Sequence, residues 1–137
     1  MTDVSTLTEA YADGGFVRKN TYWSWSAVDS ERPAVALTVW DDQIERDTDP
    51  WTFDPTASRD IAQWQHRKGN KERIRNIRFG LENCDGWFHL IWVQAGDPDG
   101  EPRDVVARRY LTDRRGHIAP EDFDPVTGAF LMRVHEV

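Results

Sequence analysis

Residues 21–27 read Thr-Tyr-Trp-Ser-Trp-Ser-Ala, the stretch of this 137-residue chain that says most about its fold. Bulky aromatic side chains alternate with serines here, and such alternation is typical of a β-strand with one apolar face. The pattern predicts a strand over residues 20–28, with Trp23 and Trp25 on one face and the serines on the other. The two indoles then share one environment, either the core or a binding site.

A second strand is predicted directly after the first. Residues 29–33 carry turn-forming side chains, and residues 34–41 alternate again as Ala-Val-Ala-Leu-Thr-Val-Trp-Asp. Two alternating runs joined by a short polar turn indicate a β-hairpin. Its second strand is expected to place Val35, Leu37 and Val39 on one face and Ala36, Thr38 and Trp40 on the other.

The rest of the chain supplies the other elements of an α+β fold. A helix is expected at 5–12, a loop at 42–55, helices at 56–66 and 71–83 separated by a break at Gly69-Asn70, strands at 87–95, 103–112 and 129–135, and a basic turn at 113–117. Hairpins interrupted once by helices predict a single domain over residues 1–137. Its sheet is expected to be curved and mainly antiparallel, or a partly open barrel, with the helices inserted after the first hairpin.

The composition narrows the cellular setting. Apolar residues make up 39% of the chain and charged residues 30%, and no apolar run approaches the length of a membrane span. The first residues lack the basic and apolar regions of a secretory signal. Cys84 is the single cysteine and cannot form an internal disulfide. We therefore expect a cytoplasmic protein that does not bind membranes.

The charge is unevenly distributed along the chain. The net charge is −7, yet residues 59–78 hold seven basic and two acidic side chains. Lys71, Arg75 and Arg78 are spaced four and three residues apart, which places them on one face of the predicted helix and suits contact with phosphates. The preceding Gly69-Asn70 could leave backbone N–H groups free for a phosphate. The alternative is an ordinary solvated helix face.

The aromatic residues suggest a ligand pocket. Seven tryptophans are present, and stacked indole faces bind flat bases. We expect Trp23, Trp25 and Trp40 to form such a pocket or aromatic cage, which would suit a modified base extruded from its strand. Ser24 or Asn20 would then hydrogen-bond the edge of the base. The alternative is that most of the tryptophans fill the core.

The same strands resemble those of known proteins. The Asn-Thr-Tyr-Trp-Ser-Trp-Ser-Ala run at 20–27, followed by Leu-Thr-Val-Trp-Asp-Asp at 37–42, is similar to poorly characterised bacterial and phage proteins, some of them joined to HNH nuclease domains. The order of elements resembles PUA-like folds, which include the EVE and YTH domains. This resemblance implies a curved barrel with a base-binding aromatic pocket, in a free-standing version without a nuclease motif.

No pattern typical of an enzyme occurs. Metalloprotease, P-loop and nucleophile-elbow motifs are missing, and the four histidines lack metal-ligand spacing. We therefore favour a module that binds nucleic acid or a nucleotide-like ligand, with no cofactor or metal. One alternative is an acidic immunity, anti-restriction or anti-defence protein that blocks a basic protein partner. Another is a small nucleotide hydrolase or transferase that uses Asp41, Asp42 or His117.

Overall fold

The computed structural model describes residues 3–56, 62, 64–100 and 104–137. No helix among them is long and apolar enough to cross a bilayer. The helices and strands, in chain order, are α1 Leu7–Asp13, β1 Ser26–Asp29, β2 Ala34–Trp40, β3 Ile44–Glu45, β4 Trp51–Phe53, α2 Lys68–Asn83, β5 Trp87–Gln94, β6 Ala107–Tyr110, β7 Arg114–His117 and β8 Met132–Glu136.

The strands form one curled, mixed sheet, which is a half-barrel. Their order is β1-β2-β5-β7-β8-β4-β3, and β6 also pairs with β5. Among the described strands only β2 and β5 run parallel; the other pairs are antiparallel. Parallel neighbours need a crossover connection, and α2 lies in it. The expected α+β fold with a curved, mainly antiparallel sheet is therefore confirmed.

The two helices cover opposite faces of the sheet. Val35 and Leu37 of β2 pack in one core cluster with Ile77 of α2. Ala36, on the other face, packs in a second cluster with Tyr11 of α1. Fully burying an aliphatic side chain contributes roughly 1.5–3 kcal/mol, so both faces of β2 stabilise the fold. The predicted alternation along this strand is confirmed.

The first predicted strand is wrong over its first six residues. Strand β1 begins only at Ser26; residues 21–23 form a turn, and residues 24–25 belong to no helix or strand. The Asn20 carboxamide oxygen accepts the backbone N–H of Tyr22 at 2.8 Å and of Trp23 at 3.3 Å. The Ser24 hydroxyl accepts the backbone N–H of Asn20 at 3.0 Å. These local bonds satisfy the backbone in place of a strand ladder, which aromatic alternation does not reveal.

The predicted helix break at Gly69-Asn70 is also wrong. Helix α2 begins at Lys68 and contains both residues. The Asn70 carboxamide donates to the carbonyl oxygens of Gln65 at 2.7 Å and Thr127 at 2.9 Å, which anchors the first turn of the helix. Gly69 and Asn70 are thus buried in the first turn of the helix, whereas the sequence suggested that their backbone N–H groups could be free for a phosphate.

Two segments expected to be irregular are strands instead. The loop predicted at 42–55 contains β3 and β4, and Phe53 is buried in register with Met132 of β8. The basic turn predicted at 113–117 contains β7, which pairs with β5 and β8. Pairing with strands that are distant in sequence stabilises these short strands, so the local composition does not predict them.

The other predicted elements agree with the structure where it describes them. The helix at 5–12, the helix at 71–83 and the strands at 87–95, 103–112 and 129–135 correspond to α1, α2, β5, β6 and β8. The helix expected at 56–66 lies mostly outside the described residues, and 64–66 form a turn. Helix α2 buries Ile77 and leaves Ile74 and Leu81 half-buried.

His89 of β5 makes the stability depend on pH. Its Nδ1 lies 2.7 Å from the Tyr110 hydroxyl. Burial first, then the charges of Arg115 and Arg32, lowers the His89 pKa from 6.5 to about 4. The unfolded chain therefore binds a proton that the folded protein does not bind in this range, so stability falls as the pH drops below 6.5. We expect this group to lower the free energy of unfolding by about 2 kcal/mol between pH 7 and pH 5.

Urea unfolding at these two pH values tests this expectation. In the variant His89→Gln, which keeps a polar partner for Tyr110, the acid-induced loss should shrink by about 2 kcal/mol. An equal loss in both proteins would show that His89 does not set the pH dependence.

Candidate functional site

Helix α2 presents a row of exposed basic side chains, here called the basic stripe: Lys68, Lys71, Arg75 and Arg78. These residues follow helical spacing, so they occupy one side of α2 over about 15 Å. The opposite side, with Arg73, Ile77 and Gly80, is buried. None of the four forms an ion pair in the described part of the chain. The predicted basic face is thus solvent-exposed and available to a ligand.

The segment of residues 20–25, here called the aromatic turn, lies against the first turn of α2. A Cβ atom at Gly69 would lie 2.5 Å from the carbonyl oxygen of Trp23 and 2.7 Å from the ring of Trp25. Only glycine allows this close approach of the two backbones. Tyr22, within the turn, is 96% exposed, and Trp23 is half-buried. The segment that bears the exposed Tyr22 therefore packs against the first turn of α2, the turn in which the basic stripe begins.

The three predicted pocket tryptophans have different surroundings. The ring of Trp25 packs against Gly69, lies 5.0 Å from the Arg73 guanidinium and contacts Trp64 edge-on at 6.4 Å. Trp40 ends β2, in register with Val93 of β5. No ring stacking joins Trp40 to Trp23 or Trp25 in the part of the chain that the structure describes. The tryptophans do not form one stacked group.

Beneath the aromatic turn lies a buried charge cluster formed by Arg18, Glu72 and Arg73. Their exposed fractions are 9%, 4% and 5%. Arg18 donates to the Ser24 carbonyl oxygen at 3.4 Å and to the Thr8 hydroxyl at 3.3 Å, which are long bonds. Among the described residues, Arg73 makes one hydrogen bond, to Asn70, and it is 3.5 Å long. The cluster is therefore poorly hydrogen-bonded for groups removed from water.

Each member of the buried charge cluster also has a buried atom without a hydrogen-bond partner in the part of the chain that the structure describes. These atoms are Arg18 Nε, Arg73 Nε and Glu72 Oε1. Burial lowers the pKa of Arg73 to about 10, so its guanidinium remains charged at neutral pH. Burial also lowers the Arg18 pKa, and the nearby Tyr11 and Glu72 oppose that shift. Unpaired buried ions are costly, and each one calls for an explanation.

Aromatic rings lie beside both guanidiniums of the cluster and stabilise their charge. The Arg73 guanidinium lies 5.0–5.2 Å from the ring centres of Trp25, Trp64 and Phe130. The Arg18 guanidinium lies 5.3 Å from the ring of Tyr11. Ring faces attract cations but accept no hydrogen bond from the in-plane N–H groups, so the donors at Nε stay unpaired.

A second aromatic and cationic group, which the sequence reasoning missed, lies at the sheet. The guanidinium of Arg114 is 3.7 Å from the Trp51 ring centre, and that of Arg46 is 4.9 Å from it. The guanidinium of Arg109 lies 4.4 Å from the ring centre of Trp92. Asp41 connects Trp92 with the Trp51 side of this group. Its Oδ1 accepts from Trp92 at 3.0 Å and from Arg46, the guanidinium that lies near Trp51, at 2.6 Å.

A cleft of about 450 Å³ borders this group, lined by residues 46–51, Arg114 and residues 134–136. Its guanidiniums are already paired: Arg46 with Asp41, and Arg114 with Glu136 at 3.2 Å. These residues come from strands far apart in sequence, so no local pattern could have brought them together. The cleft therefore offers no unpaired cation to an anionic ligand.

A second group of basic residues, on and beside strands β6 and β7, is engaged within the fold. Arg108 donates to the carbonyl oxygens of Ser5 and Val105, and Arg109 pairs with Asp3 at 3.1 Å. Arg115 donates to backbone carbonyls. The basic stripe on α2 differs from this group because its cations form no ion pair with the residues that the structure describes.

The candidate catalytic groups are not brought together. Asp41 contacts Trp92 near one end of β5, whereas His117 lies tilted against Trp87 at the other end, with the ring centres 4.8 Å apart. Five residues along a strand span about 17 Å. Within the described ranges, no group of three His, Cys, Asp or Glu side chains could hold a metal ion.

Comparisons of the chain with models of protein families, with curated proteins and with solved structures found no match. The resemblance to PUA-like domains therefore stays a prediction.

The hydrogen bonds of Asn20 generate a prediction that separates a turn residue from a ligand contact. The variant Asn20→Ala removes the acceptor for two backbone N–H groups. We expect it to lower the free energy of unfolding by about 1 kcal/mol, measured by urea unfolding. Asn20→Asp keeps the acceptor and should retain most of the stability. Unchanged stability with weakened ligand binding would instead identify Asn20 as a ligand contact.

Proposed function

We propose that the chain binds single-stranded nucleic acid along the basic stripe of α2, with the aromatic turn at one end of the binding surface. The observation that carries the proposal is an exposed cationic helix face, without an ion pair among the described residues, on a helix whose first turn packs against the segment that bears the exposed Tyr22. Phosphates would lie along Lys71, Arg75 and Arg78, as expected from their spacing. Tyr22 would stack on an unpaired base.

Electrostatics support a contact of limited length. The basic stripe spans about 15 Å, which matches only a few nucleotides of an extended strand. The flanking segments are acidic, with net charges of −7 for residues 1–58 and −5 for residues 79–137. Such a charge distribution disfavours wrapping of a long polyanion and favours one directed contact.

Aromatic stacking supports a single strand over a duplex. The Tyr22 ring is almost fully exposed, so a base could cover its face without any rearrangement of the fold. Bases in a duplex are already stacked on one another, whereas an unpaired base offers its face to a side chain. The modified base suggested by the aromatic sequence pattern remains a more specific form of the same proposal.

The basic stripe predicts a strong dependence on salt. The triple variant Lys71→Ala/Arg75→Ala/Arg78→Ala should weaken binding of a single-stranded oligonucleotide. It should also reduce the slope of log K against log salt by about 2, since each phosphate contact contributes about 0.7. Fluorescence anisotropy over a salt series measures both quantities.

A matched control keeps the charges and changes only the side chains. The variant Lys71→Arg/Arg75→Lys/Arg78→Lys should retain the salt slope of the wild type. All three positions are exposed, so thermal unfolding should be unaffected in both variants. An unchanged slope in the alanine variant, or no binding by the wild type at low salt, would contradict the proposal.

Tyr22 provides a test of the stacking contact. The variant Tyr22→Ala should weaken binding by about tenfold, since stacking of one base contributes about 1–3 kcal/mol. Tyr22→Phe keeps the ring and should bind like the wild type. The alanine variant of Val17, another apolar residue that is exposed, controls for a general surface effect. Equal affinities of the alanine and phenylalanine variants of Tyr22 would exclude stacking there.

A further inference from the structure

We propose that the cleft on the sheet binds an organic cation, namely the ammonium or guanidinium group of a basic side chain or of a free diamine. Its volume of about 450 Å³ falls within the range of about 300–1,000 Å³ that is usual for ligand pockets. The residues around it are 46–51, Arg114 and 134–136, and the basic stripe of α2 is not among them. The inference therefore stands apart from the binding of nucleic acid.

The charge balance of the cleft selects a cation. Both of its guanidiniums, those of Arg46 and Arg114, are neutralised by ion pairs of 2.6 and 3.2 Å. The carboxylates of Asp47 and Asp49 line the cleft and form no ion pair with the residues that the structure describes. The cleft therefore keeps a surplus of negative charge, which attracts cations and repels anions.

Trp51 gives the cleft a fixed apolar wall. The residue is half-buried and lies in register with Val134 of β8. The Arg114 guanidinium lies 3.7 Å from its ring centre and the Arg46 guanidinium 4.9 Å from it, so two ion-paired groups hold the indole in place. An alkyl stem that packs beside such a wall requires little ordering of the protein. The cleft therefore suits a cation that carries a hydrocarbon chain.

The loop between β3 and β4 presents the two unpaired carboxylates. It comprises residues 46–50 and is closed at its base, where Glu45 pairs with Thr52. The carboxylate of Glu45 also accepts the backbone N–H of Asp47 at 2.9 Å, which fixes the start of the loop. A single ion pair at an exposed position raises affinity by up to about fivefold, too little to hold a ligand. Asp47 and Asp49 together, beside an apolar wall, supply more than an isolated surface charge.

The ligand test titrates the ¹⁵N-labelled protein at low salt with putrescine, N-acetylarginine amide, uncharged 1,4-butanediol and anionic succinate. The backbone amide signals report affinity and location together. We expect the two cations to bind about tenfold more tightly than butanediol and succinate, with shifts concentrated at residues 46–51 and 134–136. Tighter binding of the arginine amide would identify the ligand as a side chain of a protein partner. Tighter binding of putrescine would identify it as a free diamine.

Variants assign the effect to the charges of the cleft. Asp47→Asn/Asp49→Asn is nearly isosteric and should lower the affinity for both cations by about tenfold. The control Asp13→Asn/Glu31→Gln removes the same net charge at exposed positions that do not line the cleft, and it should bind like the wild type. Arg46→Gln removes a positive charge from the cleft and should raise the affinity by about threefold, a gain that a loss of structure would not produce.

Three results would overturn the cation site. These are shifts no larger with the cations than with butanediol, shifts that lie outside the lining residues, and equal affinities of the wild type and Asp47→Asn/Asp49→Asn. The variants of the cleft leave the basic stripe intact, so their binding of an oligonucleotide should equal that of the wild type. A failure of the cation site therefore leaves the proposed function standing, and a failure of oligonucleotide binding leaves the cation site standing.

Discussion

The close packing of Gly69 against the Trp23 carbonyl and the Trp25 indole is the contact on which the rest of the arrangement depends. A side chain at this position would collide with main chain and with an aromatic ring, so the helix could not lie where it does. Through this contact, the first turn of α2 is held against the aromatic turn. Asn70 anchors the same helical turn from the other side, through Gln65 and Thr127. The parallel pairing of β2 and β5 then requires α2 to cross the sheet, with one side inward and the other in solvent.

The division of α2 into two sides underlies the proposed function. The outward side carries cations with no partner among the described residues, and these suit the phosphates of a strand. The inward side carries Glu72 and Arg73, which are charged yet buried, and places them near Arg18. Buried charges with unpaired atoms destabilise a fold, and burying apolar groups in their place would usually cost nothing.

The sequence predicted the parts of the fold that rest on periodicity. These parts are the alternating strand β2, the amphipathic helix α2 and the apolar strand β5. In each of them, the side chains that are buried recur in the sequence in a way that indicates the secondary structure. The aromatic turn was wrongly predicted as a strand. The carboxamide oxygen of Asn20 accepts backbone N–H groups there, and an alternating pattern of side chains does not reveal such hydrogen bonds. Strands β3, β4 and β7 were missed because partners distant in sequence stabilise them. Of the candidate site, the exposed cations at Lys71, Arg75 and Arg78 followed from spacing alone. The buried charge cluster did not, since its members come from two segments more than fifty residues apart.

Photo-crosslinking most directly tests the claim that the aromatic turn and the basic stripe form one binding surface. A short single-stranded oligonucleotide containing 5-iodouracil would be bound at low salt, irradiated and analysed by mass spectrometry of the digested protein. The account predicts that the crosslinked peptide contains Tyr22 or Trp23, because an unpaired base stacks there. A crosslink confined to Trp51, beside the cleft on the sheet, would contradict it, as would binding that yields no crosslink in the aromatic turn.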